Sequence, residues 1–133
     1  MTITATTLEG SRTNVNDTDL ASLRQSLRGD LVVAGEAKYE EARRVWNGNV
    51  DRRPALIVRC LGVADVQQAV NFARSFGLLV SVRGGGHSAP GYGTNEGGLV
   101  IDLSAMRGIR VDPDARTVQA QGGALWRDLD HET

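Results

Sequence analysis

Apolar residues recur three and four apart at Leu20, Leu23 and Leu27, behind Asp17, Thr18 and Asp19, whose oxygens suit a helix N-terminus. The spacing predicts a first helix, closed by Gly29 in a left-handed conformation. Leu31 to Ala34 reads as a short strand. From Glu36 to Trp46 charges dominate, with Tyr39, Ala42, Val45 and Trp46 on one helical stripe, and Asn47-Gly48 marks a turn. Ala55 to Cys60 is apolar and β-branched between Pro54 and Gly62, the pattern of a buried strand. Val66, Ala69, Val70 and Ala73 follow at helical spacing, with Asp65 as expected cap and Gly77 as stop. Leu78 to Val82 is the next strand. Two strands joined through one helix form a βαβ unit, expected to be parallel with a right-handed crossover.

The pattern then changes. Gly84 to Gly98 holds seven glycines in fifteen residues, plus Pro90. A helix there is excluded, because each interior glycine costs about 1 kcal/mol relative to alanine. Leu99 to Leu103, Ile109 to Val111 and Thr117 to Gln121 read as short strands, the last two joined by a turn at Asp112-Pro113-Asp114-Ala115. Their alternation suits an antiparallel pair with one buried face. Leu125, Trp126 and Leu129 begin a helix with no cap before the chain ends, so the sequence reads as a truncated piece. Met1 to Asn16, rich in Thr, Ser and Asn, reads as a disordered leader. The expected organisation is a leader (1–16), a helical and extended lead-in (17–52) and the beginning of an α/β domain (53–133).

Composition narrows the function. The chain has 133 residues, 41% hydrophobic and 23% charged, with a net charge of -1. No bulk field draws it to nucleic acid or to a membrane surface. Lys38 is the only lysine, which excludes a P-loop and its Gly-Lys-Ser/Thr step. Cys60 is the only cysteine, so no internal disulfide forms, and it reads as a buried free thiol. One Cys and two His do not make a structural zinc site, and no metal is expected. The N-terminus lacks the apolar core of a signal peptide, which makes the cytoplasm the default location.

The candidate chemistry lies in Val82-Arg83-Gly84-Gly85-Gly86-His87-Ser88-Ala89-Pro90-Gly91-Tyr92-Gly93. Ligands of open α/β sheets gather at the carboxyl ends of parallel strands. Consecutive glycines let backbone N–H groups converge on an anion such as a pyrophosphate. Arg83 either adds positive charge to that site or pairs with a carboxylate of the fold. Gly84, Gly86 and Ala89 formally satisfy the Rossmann pattern G-x-G-x-x-A. That motif needs a helix to begin at once, and Pro90, Gly91, Gly93, Gly97 and Gly98 exclude one. A triple glycine also reads as a flexible surface loop, and a lone His87 as a solvated residue. Tyr92 reads as loop packing and His131 as structural.

The ordered set Arg83-Gly84-Gly85-Gly86-His87-Ser88, Gly91-Tyr92 and Gly97-Gly98-Leu99-Val100-Ile101-Asp102-Leu103-Ser104 resembles the FAD-linked oxidases of the berberine-bridge-enzyme-like group. That group belongs to the vanillyl-alcohol-oxidase / p-cresol-methylhydroxylase (PCMH-type) superfamily. Tyr39 to Gly48 leading to Arg53-Pro54-Ala55-Leu56-Ile57-Val58 is similar to the family's approach to its FAD domain. Gly122-Gly123-Ala124-Leu125-Trp126-Arg127-Asp128 is similar to the stretch after its second hairpin. The resemblance runs from about residue 36 to the end of the chain.

It implies the first subdomain of a PCMH-type FAD-binding domain, α/β, with the βαβ unit followed by short antiparallel strands. It implies FAD as cofactor, held by Arg83, Gly84, Gly85, Gly86, His87, Ser88, Gly91 and Tyr92. In many members the matching histidine bonds covalently to the flavin 8α carbon, so His87 is the expected tether, acting through a neutral imidazole nitrogen. The implied activity is oxidation of a small organic alcohol or amine by hydride transfer to FAD. The family's substrate domain and catalytic base fall beyond Thr133, and Cys60 does not match its second, cysteine attachment point. Two alternatives stay open: an inactive fragment that binds flavin weakly or not at all, and a non-covalent FAD enzyme of the same fold.

Overall fold

The computed structural model describes residues 2–133. It begins with an antiparallel hairpin, β1 (Thr2–Thr6) and β2 (Arg12–Asn16), in which Thr2 lies opposite Asn16. The expectation of a disordered leader over residues 1–16 is therefore corrected for 2–16, while Met1 lies outside the described residues. The signal is alternation: Ala5 and Val15 are fully buried while their neighbours face outward. The Thr6 N–H donates to the Gly97 carbonyl at 2.7 Å, and the Leu79 N–H donates to the Thr6 carbonyl at 2.9 Å. Pairing with segments more than seventy residues away along the chain is not visible in local composition.

Helix α1 (Asp17–Ser26) buries Leu20 and Leu23 as their spacing predicts. Its cap is Asn16, whose side-chain oxygen accepts from the Asp19 N–H at 2.9 Å, so Asp17 and Asp19 occupy the first turn instead. The helix stops at Leu27 in an extended conformation, two residues before the predicted stop. Gly29 has a different role. A Cβ there would lie 1.8 Å from the Arg59 carbonyl oxygen, so only glycine permits this approach. Strand β3 (Asp30–Val33) follows. The stripe at Tyr39 to Trp46 yields a single turn, α2 (Tyr39–Ala42), whose Tyr39 hydroxyl donates to the Pro54 carbonyl at 2.7 Å.

Strand β4 (Leu56–Arg59), helix α3 (Val63–Phe76) and strand β5 (Val80–Arg83) realise the βαβ unit, and Gly77 ends α3 at φ 61° as predicted. Asp65 is not its N-cap; Gly62 is. Asp65 is 1% exposed, and its carboxylate accepts from the backbone N–H groups of Arg28 (2.8 Å), Gly29 (3.1 Å) and Leu61 (2.8 Å). Burial pushes its pKa up, but these three donors together hold it below the usual carboxylate value.

Strand β6 (Leu99–Asp102) inserts between the two strands of that unit, giving the order β3-β4-β6-β5. Strands β4, β6 and β5 are parallel, and β3 runs antiparallel at the edge. Leu56, Val58, Cys60, Leu99 and Ile101 pack beside Leu20, Leu23, Ala69 and Ala73; Val32, Ile57 and Val100 pack with Tyr39 and Ala42. Burial on both faces explains why these strands are continuously apolar.

Cys60 is fully buried, as predicted. Burial first, then the nearby Asp65 and Asp102 charges, push its thiol up to about 11. Since the thiolate is the reactive form, alkylation of the native chain at about pH 8 is expected to be more than a hundredfold slower than in urea, on the order of the lost thiolate fraction. Equal rates in native and unfolded protein would contradict this burial.

Strands β7 (Ile109–Asp112) and β8 (Thr117–Ala120) form a separate antiparallel hairpin. The predicted turn is present, with the Asp112 carboxylate accepting from the Ala115 N–H at 2.9 Å. The predicted buried face is not: Val111 and Val118 are 37% and 39% exposed. Helix α4 (Trp126–Glu132) follows, anchored by Arg107, which bonds Asp128 through two guanidinium nitrogens. Arg107 and then the Leu125 N–H hold the Asp128 carboxyl down to about 2.

Candidate functional site

The parallel strands end in a row of charges. Arg59 and Arg83 each stand in register with Asp102, one on either side. The Arg83 guanidinium is buried, donating to Asp102 Oδ2 at 2.7 Å and to the Arg44 carbonyl at 3.1 Å. Of its two predicted roles, the structure gives Arg83 the pairing with a carboxylate of the fold. Its aliphatic stem lies 3.7 Å from where a Cβ on Gly86 would be and 3.5 Å from one on Gly93. The glycine loop is thus wrapped around the Arg83 stem.

Asp102 is 3% exposed. Burial raises its pKa, but the Arg83 guanidinium and the Ser104 N–H together hold it below the usual value. Its contribution to stability is fully present above the ordinary carboxylate pKa of about 4, and is lost as pH falls through the lowered folded-state value. Urea unfolding at falling pH is expected to show that loss, and a smaller one in Asp102→Asn. Equal pH slopes in the two proteins would rule the pair out as its source.

After Arg83 the backbone turns sharply. Gly86 has φ 74°, the left-handed region. A Cβ on Gly84 would lie 2.5 Å from the Gly122 carbonyl oxygen, so Gly84 is required for close approach between two backbones. The N–H groups of Gly85, Gly86 and His87 donate to no acceptor among the described residues. Consecutive free amides on a strand-end loop are the donor set of an anion nest. No helix forms between residues 84 and 98, in agreement with the exclusion of a Rossmann turn.

Two concavities share Gly85. One, of about 210 Å³, is polar and is lined by Arg44, Arg59, Arg83, Asp102 and Gly84 to Gly86. The other, of about 650 Å³, is largely apolar and is lined by His87, Ile109, Ala120, Leu125, Trp126 and Leu129. Hence the loop has a polar flank rich in arginine and an apolar flank. His87 belongs to the second. Its imidazole stacks on Trp46, with centroids 5.3 Å apart and planes at 29°. Neither ring nitrogen makes a hydrogen bond among the described residues.

Other predicted residues sit around this centre. Ser88 Oγ accepts from the Tyr92 N–H at 3.2 Å and closes the turn containing Pro90. Gly91 is buried and presents its carbonyl to Arg52 at 2.8 Å. The Tyr92 side chain is 77% exposed and lines neither concavity, so it is not packed in the loop as expected. His131 is exposed and lies near Glu132 at 3.2 Å.

Sequence reasoning missed the braces. The Trp46 N–H donates to the Gly86 carbonyl at 3.0 Å, and Asn47 Nδ2 donates to the Ala89 carbonyl at 2.9 Å. Together they bracket His87 from both sides. Asn47-Gly48 carried only a turn signal, and a brace about forty residues from its target has no local signature. Arg44 and Arg59 likewise had no motif that placed them beside the loop.

This geometry can be compared with known proteins. The family described as FAD binding domain matches residues 54–133. (R)-6-hydroxynicotine oxidase of Paenarthrobacter nicotinovorans is 38% identical over 104 residues, covering 78% of this chain and 23% of that protein. Berberine bridge enzyme-like 18 of Arabidopsis thaliana is 40% identical over 82 residues, covering 60% of this chain and 15% of that protein. The crystal structure of 6-hydroxy-D-nicotine oxidase from Arthrobacter nicotinovorans matches with a TM-score of 0.76 at 37% identity, over 80% of this chain and 24% of that one. The chain spans about a quarter of the length of these two 6-hydroxynicotine oxidases.

Proposed function

The chain belongs to the FAD binding domain family, and on that basis we propose that it grips the cofactor of a flavin-dependent oxidoreductase through the Gly84 to Ser88 loop and tethers it covalently through His87. The observation that carries the reading is the row of free N–H groups over Gly85, Gly86 and His87 at the end of a parallel strand. A diphosphate group suits that row, and a flat aromatic ring system suits the apolar flank beside His87.

FAD, when bound, supplies the hydride acceptor, a chemistry that no side chain here offers. The residues of this chain bind and orient. Gly84 and Gly86 hold the loop open for close approach, and Arg83 with Asp102 fixes its root. Trp46 and Asn47 fix the two flanks of His87. The exposed imidazole, with both nitrogens free of hydrogen bonds, offers a nucleophilic atom toward the apolar flank. The substrate is a small organic alcohol or amine, and the relative named (R)-6-hydroxynicotine oxidase supports an amine.

The test is direct. The protein carrying this segment is expressed at the length of its relatives, supplied with FAD and denatured in acid. Yellow colour that stays with the precipitated polypeptide is the expected result. A folded protein that never takes up FAD would remove the whole reading. One that releases all its flavin on denaturation would leave the FAD site and remove the tether.

A further inference from the structure

The anion-suited flank of the loop raises the question of which side chain supplies its charge. The sequence pointed to Arg83, but that guanidinium is buried and bonded to Asp102 and to the Arg44 carbonyl. With Arg83 committed to Asp102, the polar concavity keeps two further guanidinium groups. Arg59 approaches Asp102 Oδ2 only to 3.8 Å, beyond hydrogen-bond distance, and its side chain is 43% exposed. Arg44 has no ion pair or side-chain hydrogen bond among the described residues. Glu41 also lines this space and offsets part of the charge. Three arginines against Glu41 and Asp102 leave a surplus of one positive charge, beside amides that lack acceptors.

We propose that Arg59 and Arg44, rather than Arg83, are the charge-supplying residues of the loop, and that they contact the diphosphate of the bound dinucleotide from the polar flank while Gly85 and Gly86 donate from the backbone. Arg59 is suited to this by its place in the sheet. It ends β4, directly across β6 from Arg83, so it projects from the same carboxyl edge as the loop. A guanidinium on a diphosphate makes charge-assisted, bidentate hydrogen bonds, which are stronger than neutral ones. Arg83 acts one step back, holding the loop in shape. This inference rests on the reading of the site as an FAD site.

The test uses Arg59→Met and Arg44→Met, each in the His87→Ala background, so that affinity is read without a tether. Methionine keeps much of the apolar stem and removes the charge. Three probes are titrated: FAD, riboflavin and inorganic pyrophosphate. Each variant is expected to weaken FAD and pyrophosphate by about tenfold or more, the scale of one lost charge-assisted contact. Riboflavin, which carries no phosphate, is expected to bind as before, a separation that a merely structural defect does not produce. Unchanged FAD-to-riboflavin affinity ratios in both variants would overturn the assignment. Pyrophosphate that binds in an arginine-dependent way without FAD binding would preserve the anion site and remove the flavin reading. Binding of neither FAD nor pyrophosphate to the parent protein would remove both.

Discussion

Replacing His87 with alanine is expected to abolish covalent flavin completely while leaving FAD bound. In acid-denatured protein the parent is expected to keep its yellow colour in the pellet, and His87→Ala to release it to the supernatant. The physical basis is the separation of roles within the loop. His87 contributes an exposed ring that stacks on Trp46, while the proposed grip on the anion rests on backbone N–H groups and arginines that the substitution leaves in place. Gly86, with its left-handed conformation, and the brace from the Trp46 N–H to its carbonyl are also untouched. Affinity for added FAD is therefore expected to fall modestly. Flavin that stays with denatured His87→Ala protein would move the tether to another residue, and loss of all FAD binding would mean that the imidazole is part of the grip.

The largest stability effect is expected at Asp65. Its carboxylate is the acceptor for three N–H groups, from Arg28, Gly29 and Leu61, at a site that is 1% exposed. Asp65→Ala leaves all three without it. An unsatisfied buried donor costs about 1–3 kcal/mol, and some recovery through water brings the sum to roughly 3–5 kcal/mol. That is a large share of the 5–15 kcal/mol that holds a typical domain folded, as an order of magnitude. Asp65→Asn keeps one acceptor oxygen but brings an amide donor toward other donors, so an intermediate loss is expected. Chemical denaturation of the three proteins checks the order, and a loss below about 1 kcal/mol for Asp65→Ala would mean that the three donors find other partners. Asp65 also ties the loop after α1 to the start of α3. Its removal is expected to loosen Gly29 and Arg59, which meet at the end of β4.

Periodicity located the elements wherever burial is two-sided or helical: the Leu20 and Leu23 stripe, the apolar residues between Ala55 and Cys60 and the Ala69 and Ala73 face all became core. It erred where distant backbone decides the conformation. The N-terminal hairpin is ordered by bonds to Leu79 and Gly97, and Gly29 is a glycine because the Arg59 carbonyl presses on it. The stripe over Tyr39 to Trp46 gave only one turn, since the chain beyond it is diverted to brace the glycine loop. Asp65 was legible as a helix-start residue, and its actual donors come mostly from another helix's exit.

The same division runs through the site. The sequence by itself determined that a glycine loop without a helix follows a parallel strand, that His87 sits on it, and that the ordered motifs resemble FAD-linked oxidases. Those are properties of short stretches, because φ freedom, helix exclusion and strand patterning act over a few residues. The tertiary structure decided which carboxylate Arg83 meets and what braces the loop on either side of the histidine. Arg83 lies next to the glycines in sequence, yet the parallel register sets it hydrogen-bonded against Asp102, and the same register leaves Arg59 on the neighbouring strand 3.8 Å from that carboxylate and 43% exposed. Charge pairing depends on distance in space, and only strand order and register fix that distance.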